Sequence, residues 1–328
     1  MNEAVKEIEN RIKELSPTIT KLLSEIKKVI VGQTKVIESL LVCLLSRGHV
    51  LIEGVPGLAK TLIVKTIAGA LDLNFTRVQF TPDLLPADVT GTMIFDPSKL
   101  NFFPKKGPVF TNILLADEIN RAPAKVQSAL LEAMQELQVT IGDQTFPIEQ
   151  PFFVVATQNP IEQEGTYPLP EAQIDRFMAK ILIDYPSEKE ELEILSRTTT
   201  NFEPEIKPVV KREEVIELQK LVREVYIDPR LQEYIVKVVN ATRRPEKYGL
   251  KIKEYISYGA SPRGSIYLTL AAKAHAFLRG RAYVIPEDVK ATARDILRHR
   301  IILSYEAEAQ EVNSDQLIAS ILSAIEIP

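Results

Sequence analysis

The sequence contains the stretch VLIEGVPGLAKTLIVKTIA at residues 50–68. A short apolar run precedes a loop with Gly and Pro, and a helical pattern follows Lys60 and Thr61. This order of strand, loop, Lys-Thr and helix is that of a P-loop, whose backbone N–H groups and helix N-terminus bind phosphate. The residues predicted to contact the nucleotide are Gly54, Val55, Pro56, Gly57, Leu58, Ala59, Lys60 and Thr61.

The P-loop pattern predicts a chemical role for two residues of the loop, and a third residue departs from the pattern. Lys60 is expected to reach the terminal phosphates, and the Thr61 hydroxyl to ligate Mg²⁺. Ala59 stands where the pattern has its second Gly. Because Ala disfavours positive φ, we expect the loop to close at Ala59 with negative φ.

A second buried run, ILLADE at residues 113–118, ends in two adjacent carboxylates. Neighbouring strand positions point in different directions, so one carboxylate can face a metal while the other faces a water. We predict that Asp117 holds Mg²⁺ and that Glu118 orients or deprotonates the attacking water. Alone, the pair would more simply be solvated acids at a strand end; with a P-loop on an earlier strand, catalysis is favoured.

The runs at 50–52 and 113–116 belong to a set of five short runs that we interpret as buried strands, separated by helix-length segments. Such strands, alternating with helices, predict an α/β fold, a three-layer domain with a parallel sheet covered on both faces. The other three runs are Phe75–Val78, Phe152–Ala156 and Ile181–Ile183.

The domain organisation follows from where these patterns begin and end. Residues 1–47 show helical periodicity that leads into the core, 48–186 form the α/β core, and 187–328 form a smaller all-helical domain. Turn-rich stretches near 92–109 and 138–149 interrupt the core as hairpin insertions.

The composition and charge of the chain argue against several classes of protein. In 328 residues, 40 basic side chains face 44 acidic ones, and a net charge of -4 gives no reason to expect tight nucleic-acid binding. The single cysteine, Cys43, lies in an apolar run and excludes a disulfide within the chain. The charged N-terminus does not match a secretory signal, and no segment has the apolar length of a transmembrane helix, so we expect a cytoplasmic protein.

Three further stretches carry a family resemblance. Residues 117–123 read DEINRAP, residues 156–160 read ATQNP, and residues 164–177 read EGTYPLPEAQIDRF. Together with TPDLLP at 81–86, they resemble the MoxR family of AAA+ ATPases, in which Ala before Lys-Thr is usual. The resemblance implies an AAA+ P-loop core followed by a helical lid, with ATP and Mg²⁺ as cofactors.

The resemblance also implies roles for single residues. Asn159 corresponds to sensor 1, which touches the γ-phosphate or orients the attacking water, although an Asn before Pro is often only a turn residue. Arg176 corresponds to an arginine finger that serves ATP in a neighbouring subunit; the alternative is a salt bridge with Asp175 or Glu171. Arg121 is a weaker candidate for such an interfacial role.

Arg263 corresponds to sensor 2, an arginine that the lid lays over the phosphates; without the family context it would be a surface arginine at a helix start. The segment Val31, Gly32 and Gln33 resembles the lining of the adenine pocket.

A finger supplied in trans requires an assembly, and we expect a homo-hexamer formed or stabilised by ATP. The implied role is chaperone-like maturation of a partner, commonly one with a von Willebrand factor A-type domain. A chelatase ATPase subunit and a nucleic-acid motor are the alternatives. Phe102 and Phe103 of the first hairpin either contact a client or pack under their own hairpin, and the sequence does not separate the two.

Overall fold

The computed structural model describes residues 3–160, 165–200 and 204–328. Glu164, the first residue of the third family stretch, lies outside these ranges. The strands of the described residues are β1 (Val50–Glu53), β2 (Phe75–Gln79), β3 (Gly91–Asp96), β4 (Asn101–Lys106), β5 (Ile113–Asp117), β6 (Gln138–Ile141), β7 (Gln144–Pro147), β8 (Phe153–Gln158), β9 (Ala179–Leu182), β10 (Ile256–Tyr258) and β11 (Ile302–Leu303).

The predicted parallel sheet is confirmed. Its five strands lie in the order β2, β5, β8, β1, β9, and all four neighbouring pairs are parallel. Val50 and Ile52 of β1 join one buried apolar cluster, whereas Leu51 joins another on the opposite face. This alternation, with both faces covered, is what the unbroken apolar runs require. The carboxyl ends of all five strands therefore lie at one edge of the sheet.

Helices cover both faces of the sheet and form the C-terminal part. In the described ranges they are α1 (Glu3–Val29), α2 (Thr34–Leu45), α3 (Lys60–Ala70), α4 (Pro86–Thr90), α5 (Ala124–Glu136), α6 (Glu171–Ile174), α7 (Glu188–Thr198), α8 (Arg212–Glu224), α9 (Pro229–Arg243), α10 (Pro262–Leu278), α11 (Pro286–Leu297), α12 (Tyr305–Ala309) and α13 (Ser314–Ala324). Throughout those ranges, none of the helices combines the length and apolar content that a bilayer crossing requires. Although proline usually interrupts a helix, α1 continues through Pro17.

The C-terminal part is helical, with one addition to the predicted all-helical domain. β10 and β11 form a short antiparallel pair, Ile256 opposite Leu303, between segments far apart in the chain. Strands of three and two residues are too short to show an alternating pattern, so sequence periodicity could not reveal them.

Two antiparallel hairpins project from the core, β3–β4 and β6–β7. Lys106 of β4 holds their bases together, since its Nζ lies 4.9 Å from the ring centroid of Phe110 and 5.3 Å from that of Phe146. Phe102 and Phe103 are 59% and 46% exposed. The Phe102 ring packs in part against its own hairpin, 5.2 Å from the ring of Phe95 on the facing strand, yet both rings keep a large exposed surface that is open to contact.

A buried ion pair joins the end of α10 to the start of α11. Asp288 is fully buried and accepts hydrogen bonds from Nη1 and Nη2 of Arg281, at 2.8 and 2.6 Å, and from Nδ1 of His275, at 2.6 Å. Burial alone would raise the pKa of Asp288, but hydrogen bonds from Arg281, His275 and the Ile285 N–H outweigh burial and lower it. The carboxylate thus stays charged where it is fixed.

We predict that Asp288→Asn lowers the free energy of unfolding at pH 7 by about 1–3 kcal/mol, because it leaves the half-buried Arg281 guanidinium without its ion-pair partner. The folded pKa lies below the unfolded value, so the contribution of Asp288 is fully present above about pH 4 and is lost as pH falls through the folded pKa. Urea unfolding of both proteins from pH 7 to pH 2 measures this. A difference that stays constant across that range would contradict the assignment.

Candidate functional site

The loop after β1 has the geometry of a phosphate cradle. It runs from Gly54 to the start of α3 at Lys60, and the first N–H groups of a helix have no partner within it. Gly57 has φ 88°, and a Cβ at that position would meet no atom within 4 Å. The backbone is therefore open toward the space in front of α3, where the helix N-terminus favours an anion.

The prediction of negative φ at Ala59 is wrong. Ala59 has φ 54° and ψ 25°, the left-handed region, at the N-cap of α3. The chain must reverse sharply there to aim the N–H groups of α3 back toward β1. The methyl group makes this conformation cost about 1–2 kcal/mol relative to the right-handed one, which the surrounding fold offsets.

Lys60 crosses the loop, and its Nζ donates to the carbonyl of Gly54 at 2.5 Å. Burial lowers the pKa of Lys60 below its ordinary value, and the charges of Asp117, Glu118 and Glu53 oppose that shift. The ammonium group is therefore within electrostatic reach of both strand-end carboxylates. Motifs that are 57 residues apart in sequence meet at one edge of the sheet.

Asp117 is the last residue of β5 and is held from two sides. Its Oδ2 accepts hydrogen bonds from Nε and Nη2 of Arg77, at 3.0 and 2.7 Å, and its Oδ1 accepts one from Oγ1 of Thr157, at 2.6 Å. Arg77 lies on β2 and Thr157 on β8, the strands on either side of β5. Both neighbouring strands thus fix the carboxylate.

Glu118 follows with a left-handed backbone, φ 55° and ψ 52°. Its Oε2 accepts hydrogen bonds from Nε2 of Gln79, at 2.7 Å, and from Nη1 of Arg121, at 3.1 Å. Its backbone N–H donates to Oγ1 of Thr157 at 2.9 Å. The two adjacent carboxylates thus bond different partners, consistent with the divergent directions predicted from the sequence. The positive φ is the local strain that accompanies this re-aiming.

Asn159 lies just beyond the end of β8, between the strand of the P-loop and the strand of Asp117. The side chain is buried, 7% exposed, and it lies two residues after Thr157. Asn159 therefore lies at the same edge of the sheet as the loop and the two carboxylates.

An apolar cavity of about 170 Å³ opens beside the loop. Val31 and Gln33 contribute to its lining, together with Leu62 of α3 and Ile194 of α7. Gly32, the middle residue of the predicted segment, serves a different purpose: it has φ 65° and packs against Glu190. The cavity is lined mostly by apolar surface, which suits an aromatic base.

Arg176 is not part of this cluster. It precedes β9, and Ala179 at the start of β9 pairs with Val50 at the start of β1. The loop begins at Gly54, after the other end of β1. Along the strand direction, Arg176 and the loop are therefore about 13 Å apart, the length of one strand. Within the described ranges the guanidinium forms no ion pair, and it lines an open cleft with Glu132 and Glu136 of α5. The alternative salt bridges with Asp175 and Glu171 do not form.

The structure does not bring Arg263 over the loop of its own chain either. Its Nη1 lies 3.3 Å from Oδ2 of Asp175, which also accepts a hydrogen bond from Oγ of Ser261 at 2.9 Å. Asp175 belongs to the edge of the sheet opposite the loop. The expectation that the lid lays Arg263 over those phosphates is therefore corrected: Arg263 and Arg176 lie at the same edge, away from Lys60.

The chain matches two protein-family models. Residues 49–179 match the ATPase family associated with various cellular activities (AAA), and residues 250–321 match the AAA lid domain. It is 49% identical to Chaperone MoxR1 of Mycobacterium tuberculosis, over 95% of this chain and 82% of that protein. It is 45% identical to YeaC of Bacillus subtilis, over 96% of each. A crystal structure from Cytophaga hutchinsonii, of a protein named for a suggested ATPase activity, superposes with a TM-score of 0.93 and 52% identity, over 100% of both chains.

The chain belongs to the MoxR family of AAA+ ATPases. The family accounts for the α/β core followed by a lid, and AAA ATPases in general bind nucleotide and hydrolyse ATP. Within this MoxR chain, Lys60, Asp117, Glu118 and Asn159 lie together at one edge of the sheet.

Sequence reasoning missed three polar partners at this edge of the MoxR core: Arg77, Gln79 and Thr157. Arg77 and Gln79 are two residues apart on β2 and point to the same face, toward Asp117 and Glu118. Polar residues at period two near the end of a core strand are a signal that could have identified them. Thr157 lay inside a quoted family stretch, but only the paired register of β5 and β8 shows what it bonds.

We predict that Thr157→Val lowers ATP turnover by roughly 10–100-fold, because the carboxylate of Asp117 and the N–H of Glu118 both lose their shared partner. Thr157→Ser keeps the hydroxyl and is the matched control. Nucleotide affinity without Mg²⁺ should be equal in both variants, and turnover is measured at saturating ATP. Equal turnover in the Val and Ser variants would show that the bridge is not needed.

Proposed function

We propose that this MoxR chain is a Mg²⁺-dependent ATPase whose site is completed by an arginine of a neighbouring copy. The observation that carries the proposal is the separation of Lys60, Asp117 and Glu118 at one edge of the sheet from Arg176 at the other. An arginine side chain reaches about 7 Å, roughly half of one strand length. Arg176 therefore cannot serve the loop of its own chain.

The residues present suit a nucleotide with its metal. The open backbone at Gly57 and the N-terminus of α3 offer N–H donors to phosphate oxygens, and Lys60 adds a positive charge. Thr61 and Asp117 would hold Mg²⁺ through oxygen atoms, the donors that this ion prefers. When bound, Mg²⁺ neutralises charge on the phosphate oxygens. The cavity beside Val31 and Gln33 would take the adenine.

Glu118 would take a proton from the attacking water or orient it. Its carboxylate also bonds Gln79 and Arg121, which fix its direction relative to Asp117. Asn159 would orient the same water or touch the γ-phosphate, since its amide is both a donor and an acceptor. The N–H of Glu118 is bonded to Thr157, so the base and the metal ligand are held as one unit.

Arg176 would stabilise charge on the transferring phosphoryl oxygens of ATP bound to the next subunit. Its side chain is partly exposed and lines an open cleft, so a neighbour can approach it. Arg263 lies beside it through Asp175, and we propose that it too faces the neighbour's nucleotide. This arrangement calls for a closed homo-oligomer, for which we propose a hexamer stabilised by ATP.

The biological work that we propose is chaperone-like remodelling of a partner protein. One relative, at 49% identity, is named as a chaperone. The exposed tip of the β3–β4 hairpin, with Phe102 and Phe103, offers an apolar contact for a client. A protein with a von Willebrand factor A-type domain is the partner that we propose, in a cytoplasmic setting.

We predict that three single substitutions impair ATP binding or hydrolysis in different ways. Lys60→Ala abolishes ATP binding, whereas Glu118→Gln binds ATP, hydrolyses it at least 100-fold more slowly and accumulates as the assembled form. Arg176→Ala binds ATP but loses about 10³-fold or more in turnover. Calorimetry with ATP and phosphate release under single-turnover conditions separate binding from hydrolysis.

Mixing two inactive variants tests whether Arg176 acts on ATP bound to a neighbouring subunit. Arg176→Ala subunits have an intact loop, and Lys60→Ala subunits have an intact finger. Each is inactive alone, and the mixture should regain part of the wild-type turnover. A mixture that assembles yet stays inactive would contradict the proposed function.

A client role makes a separate prediction. Phe102→Ser combined with Phe103→Ser should leave basal ATP turnover within about twofold and remove its stimulation by an added von Willebrand factor A-type partner. Lys99→Ser on the same hairpin is the control. Unchanged stimulation by that partner in the double variant would rule out this contact.

A further inference from the structure

The four residues from Asp175 to Met178 are attached to the lid through every one of their carbonyl groups. Nη2 of Arg300 donates to the carbonyls of Asp175, at 3.0 Å, and Phe177, at 2.6 Å, and Nη1 donates to that of Met178, at 3.0 Å. The carbonyl of Arg176 itself accepts from the hydroxyl of Tyr267 at 3.5 Å. Nε2 of His299 also lies 3.2 Å from the carbonyl oxygen of Phe177, so the backbone on both sides of Arg176 contacts three lid side chains, of which Arg300 makes the most hydrogen bonds.

Arg300 is built into the protein interior. Its side chain has no exposed surface, its Nε lies 2.9 Å from Oδ1 of Asp175, and its guanidinium lies 5.1 Å from the ring centroid of Tyr267. Burial lowers its pKa to about 10, and the charge of Asp175 acts in the opposite direction, so the group stays protonated at neutral pH. A buried cation is costly unless it is fully paired, and here one carboxylate and several carbonyls pair it.

We propose that Arg300 is the positioning residue for Arg176: it fixes the finger segment to the lid, so that lid and finger move as one body. This inference rests on the proposed function of Arg176 in trans. A guanidinium group carries five N–H donors in one rigid plane, so it can hold three carbonyls at once in a fixed arrangement. The position of the lid then determines where Arg176 reaches into the neighbouring subunit.

Position matters here because a displacement of about 1 Å at a catalytic group can cost on the order of 100-fold in rate. Without Arg300, the segment would still connect α6 to β9, but its carbonyls would lose their fixed direction. ATP bound to the same chain would be little affected, since the loop lies at the other edge of the sheet. The loss of Arg300 should therefore slow the hydrolysis of ATP that is bound to the neighbouring subunit.

The test is Arg300→Met in the mixing assay. Met is similar in length and apolar, so it fills the site without the fork. We expect ATP affinity within about twofold of wild type and turnover lowered on the order of 100-fold. Adding Lys60→Ala subunits, which carry intact fingers and intact Arg300, should restore turnover. The double variant Lys60→Ala with Arg300→Met should fail to rescue Arg176→Ala subunits.

Arg298→Met is the matched control. Arg298 lies two residues earlier in the same 3-10 turn, and its side chain is 9% exposed. Its guanidinium bonds Asp315, Asp295 and the carbonyl of Lys180, none of which belongs to the finger segment. We expect a similar loss of thermal stability with turnover per assembled chain within about twofold of wild type. Equal loss of turnover in the two variants would overturn the proposal.

The outcomes separate this inference from the proposed function. If Lys60→Ala rescues Arg176→Ala but not Arg300→Met, Arg300 acts within its own chain and the proposal is wrong, while the trans finger stands. If neither is rescued, the trans finger fails and the proposal falls with it. Should Arg300→Met not fold, Tyr267→Leu removes the supporting ring and hydroxyl from a partly exposed position. It should give a smaller loss that Lys60→Ala subunits rescue, and a loss without rescue would again overturn the proposal.

Discussion

The parallel direction of the five strands is the constraint on which the rest of the molecule depends. It brings the ends of β1, β5 and β8 to one edge, where the loop, the two carboxylates and Asn159 meet. It also places the segment before β9 at the other edge, with Arg176. No rotation of a side chain can bridge that separation, so Arg176 lies out of reach of the loop of its own chain.

Each edge is stabilised by partners from elsewhere in the fold. At the loop edge, Arg77 and Thr157 fix Asp117, so the carboxylate that we propose as a metal ligand is held by both flanking strands. At the finger edge, the lid supplies Arg300 and Tyr267, which hold the backbone around Arg176. These lid side chains lie at the edge of the sheet away from the loop, where they hold the segment around Arg176.

The sequence predicted those structural elements that depend on a local pattern of residues. Five short runs predicted the five strands, and the strand, loop and helix order around Lys60 predicted the phosphate cradle, because each of these signals is a local pattern of at most about 20 consecutive residues. The order of the strands and the pairing of Asp117 with Thr157 depend on register between distant segments, which no local pattern encodes. The backbone of Ala59 was mispredicted because residue preference was given more weight than the turn that α3 requires.

The location of Arg263 also could not be predicted from a local pattern, because it depends on how the lid packs against the core. Its place at the start of α10 was evident from Ser261 and Pro262, but its location depends on how the lid packs, which Asp175 and Arg300 determine. Arg300 gave no sequence signal at all, since basic residues near a helix end, here Arg298 and Arg300, are ordinary. Only its burial and its carbonyl partners distinguish it.

The most direct measurement of the central claim is ATP turnover per chain across a dilution series, with molecular mass determined on the same samples. If the site is completed by a neighbour, turnover per chain falls in step with the assembled fraction and vanishes in the monomer. A monomer that hydrolyses ATP at the undiluted rate would contradict the account.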